Sequence, residues 1–162
     1  MMTAMDISTR AEFAAPVETV FAMMTDQVYL DQVCRASHAI NYEATVNGTI
    51  TRTSRRLPSP EAAARFTGPE LTVVEEIDWA GDPAADGSRT GKLELTIPGQ
   101  PVTMRGQMKL FPGGPGTIAE MTGDLKVAIP LLGKKLEQAS APAVLAGFKT
   151  QQHVGNEWLA RD

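Results

Sequence analysis

The sequence predicts one α+β domain in which a curved antiparallel sheet of seven strands wraps around a long C-terminal helix. Three observations predict this class. Apolar and polar residues alternate with a period of two in many segments before residue 128. Glycine and proline clusters separate those segments. After Pro130 the apolar spacing changes to three and four residues, which is the period of a helix.

The first strand covers residues 6–13, where Ile7, Thr9, Ala11 and Phe13 alternate with polar residues. Two short helices follow it. Pro16 suits the first turn of one, and Thr25 or Asp26 can cap the other. Their apolar faces consist of Val17, Val20, Phe21 and Met24, and of Tyr29, Leu30, Val33 and Cys34.

Six further segments have strand character and are mostly joined as a meander. Asn47-Gly48 is a strong two-residue turn signal, which predicts a hairpin between the first two of these six segments. Residues 61–66, in the connection bounded by Pro58 and Pro69, predict a short helical flap over one end of the sheet. The six strand segments cover residues 40–46, 49–57, 71–79, 92–97, 102–111 and 117–127.

The final segment, about residues 130–160, predicts one helix long enough to cross the domain. At 1.5 Å per residue such a helix is roughly 45 Å long, and a body of this size is about 40 Å across. Its apolar stripe is bulky at both ends and small in the middle. The stripe consists of Leu132, Leu136, Ala139, Ala143, Gly147, Thr150, Val154 and Trp158.

The small central residues of this stripe have two interpretations. A curved sheet stands farthest from the helix at its middle, so small side chains there either leave a cavity or allow close approach. In the second interpretation, large side chains from the sheet fill the gap, because methionine is a common filler of irregular cores. Those side chains are Tyr42, Trp79, Met104, Met108 and Met121.

The order of strand, two short helices, six strands and long helix resembles the START-like or helix-grip superfamily. The resemblance covers nearly the whole chain and includes the opening Ala14-Ala15-Pro16-Val17-Glu18-Thr19-Val20-Phe21. The stretch from Ile129 to Glu137 and the final Glu157-Trp158-Leu159 are similar to a small, uncharacterised actinobacterial branch. The resemblance implies a helix-grip fold with a hydrophobic cavity, commonly used for lipids, steroids or polyketides. The branch has no catalytic motif to transfer.

Composition and charge argue against several classes of function. The 162 residues carry a formal net charge of −4, which gives no general attraction to nucleic acid. Cys34 is the single cysteine, so a reducing compartment is the natural location. The N-terminus has no basic start followed by an apolar run, and no run of eighteen apolar residues occurs. We expect a cytoplasmic protein, monomeric or homodimeric, without stable membrane insertion.

Candidate chemistry in the sequence is sparse. Asp31, Cys34 and His38 share a helical face only if the second helix continues to His38, and nothing nearby supplies an oxyanion site. Structural zinc needs four ligands, and the sequence has no second Cys or His cluster. We predict no catalytic residue, no metal and no cofactor.

Glu75 interrupts an apolar strand face and either points into the cavity or lies exposed. A buried carboxylate needs a partner, and Arg52 is a candidate if the strands that carry them pair in the right register. Arg52, Arg55, Arg56 and Arg65 also make the flap region basic. This basic region either attracts an acidic head group or membrane surface, or is a solvated strand end.

The prediction is therefore a binding protein for an apolar or amphipathic small molecule held between the sheet and the final helix. Two alternatives stay open: an enzyme of the cyclase or dehydratase type that uses the same cavity, and a protein-interaction module with a packed interior. The predicted ligand-binding residues are Phe21, Tyr42, Glu75, Trp79, Met104, Met108, Met121, Ala143, Gly147 and Thr150.

Overall fold

The computed structural model describes residues 4–61, 63–79 and 81–161. Strand β1 (Met5–Phe13) is followed by helices α1 (Val17–Met24) and α2 (Gln27–Ala36). Strands β2 (Asn41–Asn47) and β3 (Ile50–Pro58) come next, and then the short helix α3 (Ala64–Thr67). The remaining elements are β4 (Glu70–Trp79), β5 (Arg89–Thr96), β6 (Val102–Gly113), β7 (Gly116–Val127) and α4 (Gly133–Ala160).

All seven strands form one antiparallel sheet in the order β1-β7-β6-β5-β4-β3-β2. Strands β2 to β7 are a meander, and β1 pairs with β7, the last strand in the chain. The predicted fold class is confirmed, including the two short helices after β1 and the long C-terminal helix. The alternating strand segments and the 28-residue helix α4 account for this agreement.

Local sequence explains several element boundaries. The Asp26 side chain accepts a hydrogen bond from the Val28 backbone N–H and caps α2, so Asp26 is the cap of the two predicted candidates, Thr25 and Asp26. In the β2–β3 hairpin Asn47 pairs with Ile50, so the two turn residues are Gly48 and Thr49, one position later than predicted. Gly48 takes a positive φ of 64°, which suits glycine at the first turn position.

The backbones of β6 and β7 approach closely at the paired glycines Gly106 and Gly123. A Cβ atom on Gly106 would overlap the backbone carbonyl of Thr122. Glycine in a strand interior marks such an approach. This contact leaves no room for a larger residue at position 106.

Helix α4 lies across the concave face of the sheet, packed on β1, β7 and α2. Its buried residues are Gly133, Glu137, Ala141, Phe148, Val154 and Gly155. This face differs from the predicted stripe, since Ala139 is exposed and Ala143 is exposed as well. The difference arises because α4 packs tightly on one side of the sheet and stands away from the other.

Candidate ligand-binding site

A cavity of about 340 Å³ lies between α4 and strands β3 to β7. It extends to the end of the sheet where β3 leads to α3, β5 turns to β6, and β7 leads to α4, because residues of these three connections line it. Ligand pockets usually measure roughly 300 to 1,000 Å³, so this volume suits a small molecule. Apolar residues of this wall include Leu57, Phe66, Leu71, Val73, Leu95, Ile97, Val102, Leu125, Val127 and Ile129.

Helix α4 supplies the other wall through a face that is separate from its packed face. Leu136, Ser140, Ala143, Gly147 and Thr150 line the cavity, and four of these five belong to the stripe predicted from the sequence. Their small side chains follow one another at spacings of three and four residues. The part of the stripe from Leu136 to Thr150 therefore faces the cavity, except for the exposed Ala139, whereas Val154 at its C-terminal end belongs to the packed face.

Three polar side chains meet at the inner end of this apolar cavity. Glu75 on β4 and Arg55 on β3 are 8% and 5% exposed, and a guanidinium nitrogen of Arg55 lies 4.0 Å from Glu75 Oε1. Gln151 of α4 donates through Nε2 to both Glu75 oxygens at 3.4 Å. The 4.0 Å separation exceeds a hydrogen bond, so the ion pair is loose.

The Arg55 guanidinium has a spare donor. One terminal nitrogen donates to Ser37 Oγ at 3.3 Å. Its Nε is buried and has no hydrogen-bond partner among the described residues. A buried donor without a partner is costly, so this nitrogen adds to the energetic cost of burying Arg55.

Two buried titratable groups border this polar cluster. Burial, and then the charge of Glu75, raise the pKa of Tyr29 above its ordinary value. The Tyr29 hydroxyl donates to the backbone carbonyl of Gln151 at 3.0 Å and holds α4 to α2. Burial raises the pKa of the Cys34 thiol from 9.0 to about 11, although the positive charge of Arg55 acts in the opposite direction. Cys34 is therefore a poor nucleophile near neutral pH.

The predicted partner of Glu75 is wrong. In the β3–β4 register Arg52 lies opposite Glu76, and these two exposed side chains approach to 3.9 Å on the outer face of the sheet. Thr53 lies opposite Glu75, and Arg55, two residues further along β3, shares its face. The inward arginine is Arg55 because the hairpin register places Thr51, Thr53 and Arg55 on the concave side.

The ten predicted ligand-binding residues separate into two groups. Glu75, Ala143, Gly147 and Thr150 line the main cavity. The structure does not bring the other six to that wall: Phe21, Tyr42, Trp79, Met104, Met108 and Met121. Tyr42 lies on the edge strand β2, where its hydroxyl accepts a hydrogen bond from Arg35 Nε at 2.9 Å.

Phe21 and Trp79 form a packed aromatic pair away from the cavity. Their rings meet edge to face with centroids 5.6 Å apart, and Trp79 is 1% exposed. The guanidinium of Arg89 lies 3.9 Å from the Phe21 ring centroid and forms a two-bond ion pair with Glu18. This cluster joins α1 to the sheet.

The three predicted methionines are buried in the core. Met104 is fully enclosed, in keeping with the interpretation that methionines fill the gap. Met108 and Met121 line smaller spaces deeper between the sheet and α4. A cavity and methionine filling therefore occur together, at different depths.

Several lining residues were missed from the sequence. Gln151 and Phe148 lie beside the predicted stripe, and the periodicity alone did not include them. Arg55 could have been found by extending the hairpin register from Ala44, because the partner of Ala44, Thr53, shares the concave face with Arg55. Glu137 does not line the cavity; it is buried and accepts a hydrogen bond from the Val127 backbone N–H at 2.9 Å.

The other candidate residues predicted from the sequence make common structural contacts. Helix α2 ends at Ala36, so His38 does not continue the face of Asp31 and Cys34. Arg56 pairs with Glu70 at 3.1 Å, and Arg65 lies over the Phe66 ring at 5.3 Å. Within residues 4–61, 63–79 and 81–161, no group of acidic, His and Cys side chains is placed to hold a metal ion. No helix in the described part of the chain is long and apolar enough to cross a membrane.

Several solved structures are similar to this fold, and they belong to proteins with different names. A START superfamily protein from Mycobacterium smegmatis matches with a TM-score of 0.59 and 13% identity, covering 96% of this chain and 99% of that one. Norcoclaurine synthase from Thalictrum flavum matches with a TM-score of 0.63 and 12% identity, covering 98% and 88%. TTHA0849 from Thermus thermophilus matches with a TM-score of 0.63 and 17% identity, covering 93% and 97%.

These similarities, together with the sheet order and the position of α4, show that the chain has the START-like helix-grip fold. The resemblance stated from the sequence is confirmed at this level. Residues 8–159 match the model of the family described as protein of unknown function DUF2505, and the chain belongs to that family. No curated protein matches the sequence. The actinobacterial branch stays a prediction.

Proposed function

We propose that the protein binds one amphipathic small molecule in the main cavity. The observation that carries this proposal is a largely apolar cavity of about 340 Å³ with the polar cluster of Arg55, Glu75 and Gln151 at its inner end. An apolar wall with a few convergent polar groups is typical of ligand sites. The open interior argues against the alternative of an interaction module, for which we expected complete packing.

The polar cluster favours a particular ligand end. Arg55 and Glu75 both line the cavity, so the Arg55 guanidinium offers donors and the Glu75 carboxylate offers acceptor oxygens beside it. A hydroxyl group can accept from the first and donate to the second. A ligand carboxylate would instead bring a second negative charge close to Glu75, in a region where charges are poorly screened. We therefore propose a neutral, hydroxyl-bearing amphipath.

The experiment compares a matched pair of ligands, 1-dodecanol and dodecanoate, by displacement of a fluorescent apolar probe. The wild-type protein should bind the alcohol about tenfold more tightly, which corresponds to roughly 1.4 kcal/mol. Glu75→Gln should remove most of that preference, because the repelling carboxylate is gone. The probe must be extrinsic, since Trp79 does not line the cavity.

Glu76→Gln is the matched control, because Glu76 is the neighbouring carboxylate on the outer face. It should leave the preference unchanged. Tighter binding of dodecanoate than of dodecanol by the wild type would contradict the neutral end group. Failure of both ligands, and of the probe itself, to bind would contradict the cavity as a binding site for such molecules.

A second candidate is an enzyme of the cyclase or dehydratase type that acts in the same cavity. The position of Glu75 favours it, because a buried carboxylate facing an apolar cavity is a candidate acid or base. Incubation with hydroxylated polyketide-like compounds, followed by mass spectrometry, tests it. Conversion that Glu75→Gln abolishes and Glu76→Gln retains would support the enzyme, and unchanged compounds would support binding alone.

A further inference from the structure

The main cavity reaches solvent on one side, which we call the mouth. It is marked by the residues that line the cavity and are also exposed, namely Pro58, Phe66, Pro101, Ala143 and Ala146. They belong to the end of β3, to α3, to the β5–β6 turn and to the middle of α4. A ligand whose hydroxyl lies at the buried polar cluster therefore directs its apolar chain toward the mouth.

The connection between β7 and α4 borders the same cavity, because Ile129 and Leu136 line it. The Ala128 N–H donates to the Pro101 carbonyl at 2.8 Å, which holds this connection beside the β5–β6 turn. Leu131, in the middle of the connection, is fully exposed and has a positive φ of 68°. A bulky residue in this conformation is strained. Folding alone gives no reason for a leucine side chain at this position.

A second apolar side chain and three cations accompany Leu131 at this end of the sheet. Phe66 on α3 is 37% exposed, and the guanidinium of Arg65 lies 5.3 Å from its ring centroid. Lys134 and Lys135 are exposed in the first turn of α4, which has no acidic residue and no side-chain cap. Cations oppose the helix dipole at an N-terminus, so helix stability does not explain these two lysines.

The two ends of the sheet differ in charge. The connections at the mouth end, together with the first turn of α4, carry the three cations just named and one acidic residue, Glu61. The β4–β5 connection at the opposite end carries Asp82 and Asp86, and Arg89, which begins β5, is paired with Glu18. The whole chain has a net charge of −4. An anionic surface would therefore attract this molecule mouth first.

The direction of the proposed ligand fits such an approach. A hydroxyl-bearing amphipath in a bilayer has its hydroxyl at the surface and its apolar chain inside. The polar cluster of Arg55 and Glu75 lies at the inner end of the cavity, so a ligand must enter hydroxyl first. With the mouth on a bilayer, the chain would follow from lipid into the cavity without exposure to water, which is unfavourable.

We propose that the mouth end of the protein docks on the surface of an anionic lipid bilayer. Leu131 and Phe66 enter the headgroup region, and Arg65, Lys134 and Lys135 face the anionic headgroups. The contact is peripheral, and no segment crosses the bilayer. The inference deepens the proposed function and rests on it for the direction of the ligand, because the docked mouth passes that ligand between bilayer and cavity.

Flotation of the full-length protein with vesicles tests the docking. The wild type should bind vesicles of equal parts phosphatidylcholine and phosphatidylglycerol, more weakly as salt is added, and should not bind phosphatidylcholine alone. Leu131→Gly should lower the affinity about fivefold through lost apolar contact. It should not lower the Tm, because glycine accepts a positive φ. A fall in Tm with unchanged vesicle binding would make Leu131 a folding residue and overturn its role.

Charge reversal gives the second arm of the test. Lys134→Glu with Lys135→Glu should lower the affinity roughly twentyfold or more, since each cation beside an anionic membrane contributes about fivefold. The matched control is Lys92→Glu with Lys149→Glu, which changes the net charge equally at exposed residues that do not line the main cavity. The control should keep most of the affinity. Equal losses in the two double variants would overturn the proposed surface, as would equal binding to both kinds of vesicle.

A polarity-sensitive fluorophore reports the orientation directly. It is attached at Leu131→Cys, or at Ala85→Cys in the exposed β4–β5 connection at the opposite end. Cys34 is buried and reacts poorly, so it does not compete for the label. Anionic vesicles should shift the emission to shorter wavelength only for the label at position 131. A shift at both positions, or at neither, would overturn the proposal.

The vesicle experiments contain no ligand, so their failure is distinguishable from failure of the proposed function. If 1-dodecanol binds and vesicles do not, the proposed function stands and the docking is wrong. If vesicles bind through the mouth and no alcohol does, the docking surface stands and the proposed ligand is wrong. Binding of an acidic protein in place of vesicles would also overturn the bilayer as the partner.

Discussion

Glu75 and Arg55 form an ion pair in which both partners have lost most of their hydration. The two side chains are 10% and 7% exposed, whereas Arg52 and Glu76 on the outer face are about half exposed. A buried pair is weak evidence for stability, because desolvation offsets the attraction between the charges. Removing one partner is costly, since the other charge remains buried alone.

Arg55→Met should therefore destabilise the protein by about 3 to 5 kcal/mol. Methionine keeps much of the side-chain volume, so the loss reports mainly on the unpaired Glu75. Urea unfolding measures it. Arg52→Met removes the exposed pair in the same two strands and should cost only about 0 to 1 kcal/mol.

The double variant Arg55→Met with Glu75→Gln completes this comparison. It should recover a large part of the loss, because no charge is then left buried. Equal losses for Arg55→Met and Arg52→Met would contradict the burial of the pair. If the double variant recovers no stability, the loss of stability in Arg55→Met arises from packing and not from the unpaired charge of Glu75.

At the scale of elements, α4 has one face for packing and another for the cavity. Gly155 lies on the packed face, where a Cβ atom would be 2.5 Å from Phe13 Cε1 and 3.0 Å from Met23 Cε. Gly147 lies on the cavity face, where a Cβ atom would meet nothing within 4 Å. Glycine therefore has crowded surroundings at position 155 and open surroundings at position 147 of the same helix.

We predict opposite effects of alanine at these two positions. Gly147→Ala should stabilise the protein by about 0.5 to 1 kcal/mol, because glycine is a poor helix former and the added methyl group has space. Gly155→Ala should destabilise it by roughly 1 to 3 kcal/mol through overpacking. Chemical denaturation measures both. Destabilisation by Gly147→Ala would contradict the open face.

At the scale of the whole molecule, the cavity is a space that folding leaves unfilled. Sheet curvature holds β3, β4 and β5 away from α4, and α3 covers one end. A ligand that binds only the folded state adds stability in proportion to the logarithm of its free concentration. The cavity should therefore couple ligand binding to the unfolding of the entire domain.

Ligand at about a hundred times its Kd should stabilise the wild type by about 2.7 kcal/mol, or raise its Tm by roughly 5 to 10 °C. Gly147→Leu should fold but lose this shift, because the leucine side chain occupies the cavity. Thermal melts with 1-dodecanol measure both. Gly147→Ala serves as the control that keeps the shift, and an undiminished shift in Gly147→Leu would contradict the location of the site.

Whether a feature could be predicted from the sequence depends on how far apart in the chain the residues that form it lie. The strands, the Asp26 cap and the long helix follow from patterns within a few residues of one another, and these predictions are confirmed. The pairing of Arg55 with Glu75 depends on strand register across the α3 connection. Because a shift of one residue moves a side chain to the other face, Arg52 was the wrong choice.

The cavity wall was only partly predictable for the same reason. Ala143, Gly147 and Thr150 follow from helical periodicity and line the cavity, as does Glu75. Whether Trp79 or Met108 reaches the same space depends on how far the sheet stands from α4 along each strand. The local sequence does not specify the distance between each strand and α4.

The sequence by itself determined the order and type of the elements, because alternation, helical spacing and turn residues act over short stretches of chain. Only the tertiary structure decided that α4 leans toward β1 and β7, leaves its small-residue face uncovered, and sets Gln151 above Glu75 and Arg55. Those positions follow from the curvature of the entire sheet and from packing among residues far apart in the chain, which no local pattern specifies.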